Sequence, residues 1–363
     1  MQSDSLTYKF YYQWWKNIDK SIFFIISLLF IIGLFFSLVS TSLIASDKLD
    51  TNSYFFFFKH LIYVSLGILI IFIFSSLKKG HLIKYSIILF FVSLISLVLV
   101  PVIGVEVKGS KRWIDLFFLP RFQPIEVLKP FLIVFLATIL CTEKTNIMIK
   151  YVLTTTTISI ISLLLIVQPD IGQTLLVVFS WCVLIFTSGI NIIILIAFFS
   201  LAIILITYLI IYVPKFDYIQ GRILSFFNRE TGTHNFQSDK AIDSITSGGF
   251  FGKGIGEGIL KNRVPEAHTD YIISVISEEF GVVAIMLILL LFLIFIYMVF
   301  KKISFETDDK TKLILIGSIS LILMQATIHV GVNIRLFPTT GMTLPFLSYG
   351  GSSIISTSIL AGI

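Results

Sequence analysis

Charged side chains are scarce in this chain of 363 residues, in which Asp, Glu, Lys and Arg make up 13% of positions. A soluble domain carries about 25% charged residues, so the composition excludes an ordinary soluble domain. Hydrophobic residues account for 56% of the sequence, and long apolar runs recur along its whole length. These runs predict an all-α polytopic membrane protein.

Cysteine is almost absent, and a cleavable signal pattern is not evident. Cys141 and Cys182 lie in or beside apolar runs and form no CxxC or metal-binding pattern. We therefore interpret both as small core residues. The first apolar run is too long for the core of a signal peptide and lacks a clear A-x-A site. We expect it to be a retained signal anchor.

The formal net charge is +6, which raises the question of nucleic-acid binding. Much of the excess lies in short polar turns between apolar runs, as membrane topology requires. No basic face with interleaved aromatic residues lies outside the apolar runs. The sequence therefore favours a membrane protein that does not bind nucleic acid.

The apolar runs predict about ten transmembrane helices, because each is long enough to cross a bilayer. Residues 1–20 are expected to form an interfacial N-terminus, and residues 21–363 one transmembrane domain. A large loop over residues 214–269 separates the seventh and eighth spans. The ten predicted spans lie near residues 21–44, 54–76, 83–103, 125–142, 150–167, 173–189, 191–213, 270–300, 312–335 and 345–363.

Lysines in short segments predict the orientation. They precede the first span and lie between spans two and three, four and five, and eight and nine, which places all of them on one side. By the positive-inside rule this side, with the N-terminus, is cytoplasmic. The lysines are Lys9, Lys16, Lys20, Lys78, Lys79, Lys84, Lys144, Lys150, Lys301, Lys302, Lys310 and Lys312.

A basic cluster in the second outer loop breaks this bias. It contains Lys108, Lys111, Arg112 and Arg121. Two interpretations remain open. The cations bind a negatively charged ligand, or they pair locally with the acidic residues Glu106, Asp115 and Glu126.

Asp270 lies where a polar loop meets the eighth apolar run. Continued as a helix at about 100° per residue, the sequence places Asp270, Ser274, Ser277 and Gly281 on one face. A partly desolvated carboxylate at this interface suits a general base. Helix capping by Asp270 is the alternative.

Other polar residues lie inside predicted spans. Glu278 and Glu279 are interpreted as structural, with Lys129 or Arg112 as the counter-ion, while Glu126 and Lys129 are also suitably spaced to pair. The stripe of Gln325, His329 and Asn333 predicts interhelical hydrogen bonds. His329 lacks companion ligands, so no metal site is predicted.

Two glycine-containing segments interrupt the apolar pattern. SGGFFGKGIGEG (247–258) does not match a Walker A motif, because Gly254 follows Lys253 where Ser or Thr is needed. We interpret this segment as a re-entrant or surface loop. PTTGMTLPFLSYGGSS (338–353) is expected to line a cavity.

Five blocks stand out along nearly the whole chain: KGSKRWIDLFFLPRFQPIEVLKPFLIVFLA (108–137), QPDIGQTLL (168–176), SGGFFGKGIGEG (247–258), PEAHTDYIISVISEEFG (265–281) and GMTLPFLSYGGSS (341–353). Together they resemble the SEDS proteins, the shape, elongation, division and sporulation polymerases of bacterial cell walls. The segments PEAHTD and TTGMTLPFLSYGG, with the WWKNID opening, resemble the FtsW division branch more closely than the RodA elongation branch.

The resemblance implies a ten-span peptidoglycan glycosyltransferase that polymerises lipid II. It implies that Asp270 is the catalytic base and that Arg112 and Arg121, with Lys111, bind the pyrophosphate. Glu278 or Glu279 would hold helices together. FFLPRF departs from the pattern of many members, which puts the register of Arg121 in doubt. His329 stands where many members have a small or apolar residue. The substrate-binding residues expected from the matching blocks are Lys111, Arg112, Trp113, Arg121, His268, Thr269 and Ser348.

The resemblance also implies partners and a location. The expected partner is a class B penicillin-binding protein, an FtsI-like transpeptidase, together with other divisome proteins, at the septum in the bacterial inner membrane. No cofactor is assigned, and a divalent cation is left open. Two rival functions also remain open, a lipid II flippase and a scaffold that only recruits a synthase.

Overall fold

The computed structural model describes residues 12–48, 54–107, 110–116, 119–143, 145–213, 216–227, 236–260 and 264–363. Lys9, Lys108 and Lys144, named above, lie outside these residues. A short helical segment over residues 12–17 comes first. The longer helices of the described chain are α1 (Lys20–Lys48), α2 (Phe55–Ser75), α3 (Lys79–Ile103), α4 (Pro124–Leu140), α5 (Ile147–Val167), α6 (Ile171–Thr187), α7 (Ile192–Tyr212), α8 (Asp217–Phe227), α9 (Phe236–Gly248), α10 (Ile272–Phe305), α11 (Asp309–Asn333) and α12 (Gly351–Gly362).

Helices α1–α7 and α10–α12 occupy the ten predicted spans, so the all-α polytopic membrane fold is confirmed. Among the described residues, six helices are long and apolar enough to cross a membrane. They are α1, α2, α3, α5, α10 and α11; α6 and α12 are shorter apolar helices. The eighth span ends at Phe305, a few residues beyond its predicted end.

Helix α4 lies at the centre of the bundle. Every residue from 128 to 134 is buried, which is expected of a helix that has neighbours on all sides. It packs against α3, α5, α6, α11 and α12. Its first two turns also carry Glu126 and Lys129, which are both buried, so ionisable groups are held inside the fold.

Helix α2, at the periphery of the bundle, has one buried face and one exposed face. His60, Val64, Gly67 and Ile71 follow the helical repeat and are buried against the bundle. Phe58, Ile62, Leu66 and Leu69 are exposed on the remaining surface. Large exposed apolar side chains at helical spacing form the surface that lipid covers in a membrane protein.

Two ion pairs join segments that were predicted to lie on the cytoplasmic side. Lys79 Nζ is 2.6 Å from Asp308 Oδ2, and Lys302 Nζ is 2.7 Å from Asp19 Oδ2. The N-terminal segment, the start of α3 and the α10–α11 connection therefore lie at one end of the bundle. Their assignment to the cytoplasm stays a prediction.

The connection between α3 and α4 forms a small antiparallel sheet, which is absent from the sequence-based prediction. It consists of β1 (Val105–Val107), β2 (Ser110–Leu116) and β3 (Leu119–Phe122), in that order. Pro120 is tolerated because β3 is an edge strand. The sheet gives the basic cluster a fixed support, since Arg112 is part of β2 and Arg121 of β3.

Helix α10 is broken at Gly281, whose φ of 75° and ψ of −179° are not helical. Residue 281 needs to be glycine because this φ strains any residue that carries a side chain. The backbone N–H groups of Val282 and Val283 donate to the carbonyl groups of Gly249 and Phe250 instead of to their own helix. The glycine-rich loop thus packs beside the break in α10.

Candidate functional site

One cavity of about 560 Å³ joins most of the residues that the sequence singled out. Six predicted site residues line it: Arg112, Trp113, Arg121, His268, Thr269 and Asp270. They come from strands β2 and β3 and from the turn that precedes α10. The remaining lining comes mainly from the starts of α2, α4 and α6 and from residues 339–343 and 349–353.

Asp270 lies in a turn rather than on the face of a helix. The N–H groups of Thr269, Asp270 and Tyr271 all donate to the Glu266 carbonyl. Helix α10 begins at Ile272 with Tyr271 at its capping position, so the predicted continuous face from Asp270 to Gly281 is wrong, and so is Asp270 as the cap of this helix. A Cβ placed on Gly341 would lie 3.4 Å from Asp270 Oδ2, which puts this carboxylate against the 339–343 segment.

Arg112 is fixed at the cavity wall by the loop between α5 and α6. Its guanidinium donates to the carbonyl oxygens of Gln168, at 3.1 Å, and Pro169. Its Nη1 lies 3.8 Å from Asp170 Oδ1. The expected pairing of Arg112 with Glu278 or Glu279 does not form, and the cation is held in a set orientation beside the cavity.

Arg121 is less confined. Its Nε donates to Asp115 Oδ2 at 2.7 Å, and the Arg121 side chain is 58% exposed. Local pairing, one of the two interpretations of the basic cluster, is therefore present for Arg121. An exposed ion pair contributes only about 0–1 kcal/mol, so an anionic ligand could replace Asp115 at little cost.

Two predicted substrate-binding residues do not line this cavity. Lys111 lines a separate cavity of about 300 Å³, with Glu106, Gln168 and Pro169. Ser348 is buried, and its Oγ accepts a 2.9 Å hydrogen bond from the Leu344 N–H. The side chain of Ser348 stabilises the turn that follows residue 343.

Asp170 connects the loop between α5 and α6 to Gln123 and Gln173, which line the cavity. Its Oδ2 accepts a 2.8 Å hydrogen bond from Gln123 Nε2, and its Oδ1 accepts from the Gln173 N–H at the start of α6. Burial raises the pKa of Asp170, and the nearby Arg112 guanidinium acts in the opposite direction. Asp170 thus has a structural role that the resemblance to a known motif alone does not reveal.

A buried polar network extends from the cavity into the core. Lys129 Nζ lies 3.0 Å from Glu126 Oε2, and Gln173 Nε2 donates to Glu126 Oε1 at 2.5 Å. Lys129 also donates to Gln325 Oε1 at 3.3 Å. The predicted pairing of Lys129 with Glu278 or Glu279 is wrong, because Glu126 lies one helical turn away and takes that place.

Glu278 and Glu279 hold the glycine-rich loop. Glu278 accepts from the Leu260 N–H at 2.8 Å and from Ser244 Oγ at 2.9 Å, and Lys253 Nζ is 3.6 Å away. Glu279 accepts from the N–H groups of Gly256 and Gly258. Their structural role is as expected, but the loop groups replace Lys129 as partners.

The polar stripe on α11 holds backbone segments around the cavity. Gln325 Nε2 donates to the Thr343 carbonyl at 3.0 Å, and His329 Nδ1 lies 2.7 Å from the Met342 carbonyl oxygen. Asn333 Nδ2 donates to the Asp270 carbonyl at 3.0 Å. The spacing of four residues correctly indicated one hydrogen-bonding face, although most partners are loop carbonyl groups rather than another helix.

Among the described residues, no group of three or more His, Cys, Asp or Glu side chains is placed to hold a metal ion. The acidic side chains that line the cavity, Glu126, Glu266 and Asp270, do not form such a group. A divalent cation therefore stays an untested prediction.

Comparison with known proteins gives consistent matches over nearly the whole chain. Residues 19–363 match the family model of FtsW, RodA and SpoVE, described as cell cycle protein. The chain is 29% identical over 356 residues to the probable peptidoglycan glycosyltransferase FtsW of Caulobacter vibrioides, covering 96% of this chain and 89% of that protein. It is 32% identical over 355 residues to the protein of that name from Haemophilus influenzae, covering 95% and 89%.

Solved structures share the fold. One described as "Structural coordination of polymerization and crosslinking by a peptidoglycan synthase complex" has a TM-score of 0.75 and 26% identity, covering 95% of each chain. The rod shape determining protein RodA of Thermus thermophilus has a TM-score of 0.69 and 26% identity, covering 96% of this chain and 95% of that one.

Proposed function

This chain belongs to the FtsW, RodA and SpoVE family of cell cycle proteins, and we propose that it polymerises lipid II in the cavity that holds Asp270, Arg112 and Arg121. Like the relatives named probable peptidoglycan glycosyltransferase, it is an enzyme of that class. The proposal concerns the substrate, the residues and the place of action.

The observation that carries the proposal is that a carboxylate and two guanidinium groups line one cavity. Glycan growth requires the 4-hydroxyl of one sugar to attack C1 of another, which breaks the bond from C1 to the lipid pyrophosphate. Asp270 takes the hydroxyl proton as general base. Arg112 and Arg121 bind the departing pyrophosphate and stabilise the negative charge that develops on it.

Asp270 is a better candidate base than Glu126, another of the three acids that line the cavity. Glu126 is already paired with Lys129 at 3.0 Å and accepts a hydrogen bond from Gln173. Both carboxylate oxygens of Glu126 are therefore engaged by side chains of the bundle. The base is therefore assigned to Asp270, and Glu126 is assigned to the support of the cavity floor.

The place of action and the partner follow from the relatives. A structurally similar chain belongs to a complex described as coordinating polymerization and crosslinking. We infer a transpeptidase partner of the class B penicillin-binding type and, from the similarity to FtsW proteins, action at the division septum of the inner membrane, alongside other divisome proteins.

Polymerisation of fluorescent lipid II by the purified protein, alone and with its transpeptidase partner, tests the proposal. Asp270→Ala and Asp270→Asn should each abolish strand growth. Asp243→Asn is a matched control, because Asp243 pairs with Lys240 on α9 and does not line the cavity. Strand growth at the wild-type rate in Asp270→Asn would refute the base assignment, and no strand growth by the wild type would favour a transporter or a scaffold.

A further inference from the structure

Besides Trp113 on β2, four aromatic rings line the cavity, and the chemistry proposed above does not use them. Phe56 and Tyr63 belong to α2, and His268 and Tyr349 belong to the connections that precede α10 and α12. We call this group the aromatic wall. Phe56, Tyr63, His268 and Tyr349 are each partly exposed, and all four line the cavity.

The rings form a connected surface. The His268 ring centroid is 4.5 Å from that of Phe56 and 5.8 Å from that of Tyr349, and both pairs are tilted by 36°. The Tyr63 and Tyr349 centroids are 6.3 Å apart. The Tyr349 N–H donates to the His268 carbonyl at 3.2 Å, which fixes the connections before α10 and α12 to each other.

Two buried oxygen atoms of residues that line the cavity have no hydrogen-bond partner in the described part of the chain. They are Gln173 Oε1 and Thr340 Oγ1, and both residues line the cavity. A Cβ on Gly172 would lie 3.0 Å from Thr340 Cβ, so the start of α6 and Thr340 are in close contact. The Gln173 amide is oriented by its 2.5 Å hydrogen bond to Glu126.

An oriented amide oxygen that stays unpaired in a buried position is costly, and this cost is removed when a ligand supplies a donor. A polyprenyl chain has no donor to offer. An N-acetylated sugar carries hydroxyl and amide N–H groups that can donate to such oxygens. The C–H groups of the sugar can pack on aromatic faces, which carry partial negative charge.

We propose that the aromatic wall, with Gln173 Oε1 and Thr340 Oγ1, is the binding subsite for the N-acetylated acceptor sugar. This proposal rests on the proposed function and names the subsite that the acceptor occupies. His268 and Asp270 belong to the same turn, so a sugar packed on the wall presents its hydroxyl to the base. Arg112 and Arg121, on separate strands, remain for the pyrophosphate.

Direct binding of chitobiose, two N-acetylglucosamine units without phosphate, peptide or lipid, tests the subsite. Saturation-transfer NMR on the full chain in detergent micelles should detect binding both to wild type and to Asp270→Asn, which cannot turn over. Tyr349→Leu should weaken binding about fivefold because it removes an aromatic face. Tyr349→Phe keeps the ring and should bind within about twofold of wild type.

Thr340→Val keeps the shape of the side chain and removes its hydroxyl, so it should weaken binding about fivefold. Phe58→Leu is the matched control, because Phe58 is on the exposed face of α2 and does not line the cavity. Thermal unfolding of each variant separates lost binding from lost folding. The subsite proposal is overturned if Tyr349→Leu and Thr340→Val both bind chitobiose as tightly as wild type does. It is also overturned if wild type does not bind chitobiose.

The outcome is distinct from that of the proposed function. Chitobiose binding that depends on Tyr349 and Thr340, without polymerisation of lipid II, supports the subsite and contradicts the polymerase. Polymerisation that Asp270→Asn abolishes, with unchanged chitobiose binding in Tyr349→Leu and Thr340→Val, does the reverse.

Discussion

Asn333 Nδ2 donates a 3.0 Å hydrogen bond to the backbone carbonyl of Asp270 and a 2.8 Å hydrogen bond to the His329 carbonyl. One amide group therefore fixes the end of α11 to the turn that holds the proposed base. The turn has no regular secondary structure of its own, so its position depends on contacts of this kind.

Removal of the hydrogen bond from Asn333 to the Asp270 carbonyl should lower kcat strongly and the free energy of unfolding only slightly. Asn333→Leu has nearly the same volume but cannot donate to the Asp270 carbonyl, and we expect kcat to fall about ten- to a hundredfold because the base moves. The free energy of unfolding should fall by only about 1 kcal/mol. Kinetics with lipid II and unfolding in micelles measure the two effects. Thr327→Val, on the exposed side of α11, is the control, and an unchanged kcat in Asn333→Leu would contradict the role.

The buried pair of Glu126 and Lys129 should be costly to break. Lys129→Met leaves a buried carboxylate without its cation, and we expect a loss of about 3–5 kcal/mol in the free energy of unfolding. The double variant Glu126→Gln with Lys129→Met should recover most of this loss because no isolated charge remains. Lys240→Met breaks an exposed pair and should change stability by under about 1 kcal/mol. Equal losses in Lys129→Met and Lys240→Met would argue against the buried network.

Glu279 should control the order of the glycine-rich loop. Glu279→Gln weakens acceptance from the N–H groups of Gly256 and Gly258, so we expect faster cleavage within residues 249–260 in limited proteolysis. Glu257→Gln changes an exposed acid in the same loop and should be cleaved at the wild-type rate. The prediction fails if Glu279→Gln is as resistant as wild type.

The Lys79 and Asp308 pair should make stability depend on pH. Hydrogen bonds from Lys79 and Thr311 lower the pKa of Asp308 below its usual value of 3.8. A carboxyl whose folded pKa is lowered stabilises the protein above the unfolded pKa and loses this contribution as pH falls through the folded pKa. The wild type should therefore exceed Asp308→Asn in melting temperature at about pH 7, and the difference should shrink below about pH 4. Because the pair is exposed, its contribution is under about 1 kcal/mol. A difference that is constant with pH would contradict this assignment.

Much of the fold follows from hydrophobic length alone, because a bilayer requires long apolar helices. The ten spans were predictable for this reason, and the break at Gly281 was not. The break is accompanied by hydrogen bonds to Gly249 and Phe250, which belong to a loop distant in sequence. The apolar pattern of α10 carries no sign of that loop. The sheet over residues 105–122 was missed because its strands are short and lie beside a long apolar run.

The site was predictable to a lesser extent. Arg112, Arg121 and Asp270 stand out as charges near apolar runs, and the structure brings them to one cavity. The ion-pair partners of Lys129 and Glu278 were not predictable from spacing, because several acids lie within reach of each cation in a folded bundle. Thr340 and Gln173 carry no charge, and only burial without a partner distinguishes them.

The non-helical residue Gly281 divides α10 into two pieces with different roles. Residues 282–305 alone extend for about 36 Å at 1.5 Å per residue, which exceeds the thickness of a hydrocarbon layer. The preceding piece, residues 272–280, is therefore not needed for crossing, and it supports the turn that holds Asp270, the proposed base. Substitutions in residues 282–305 can therefore alter the position of the protein in the bilayer without moving the turn that holds Asp270.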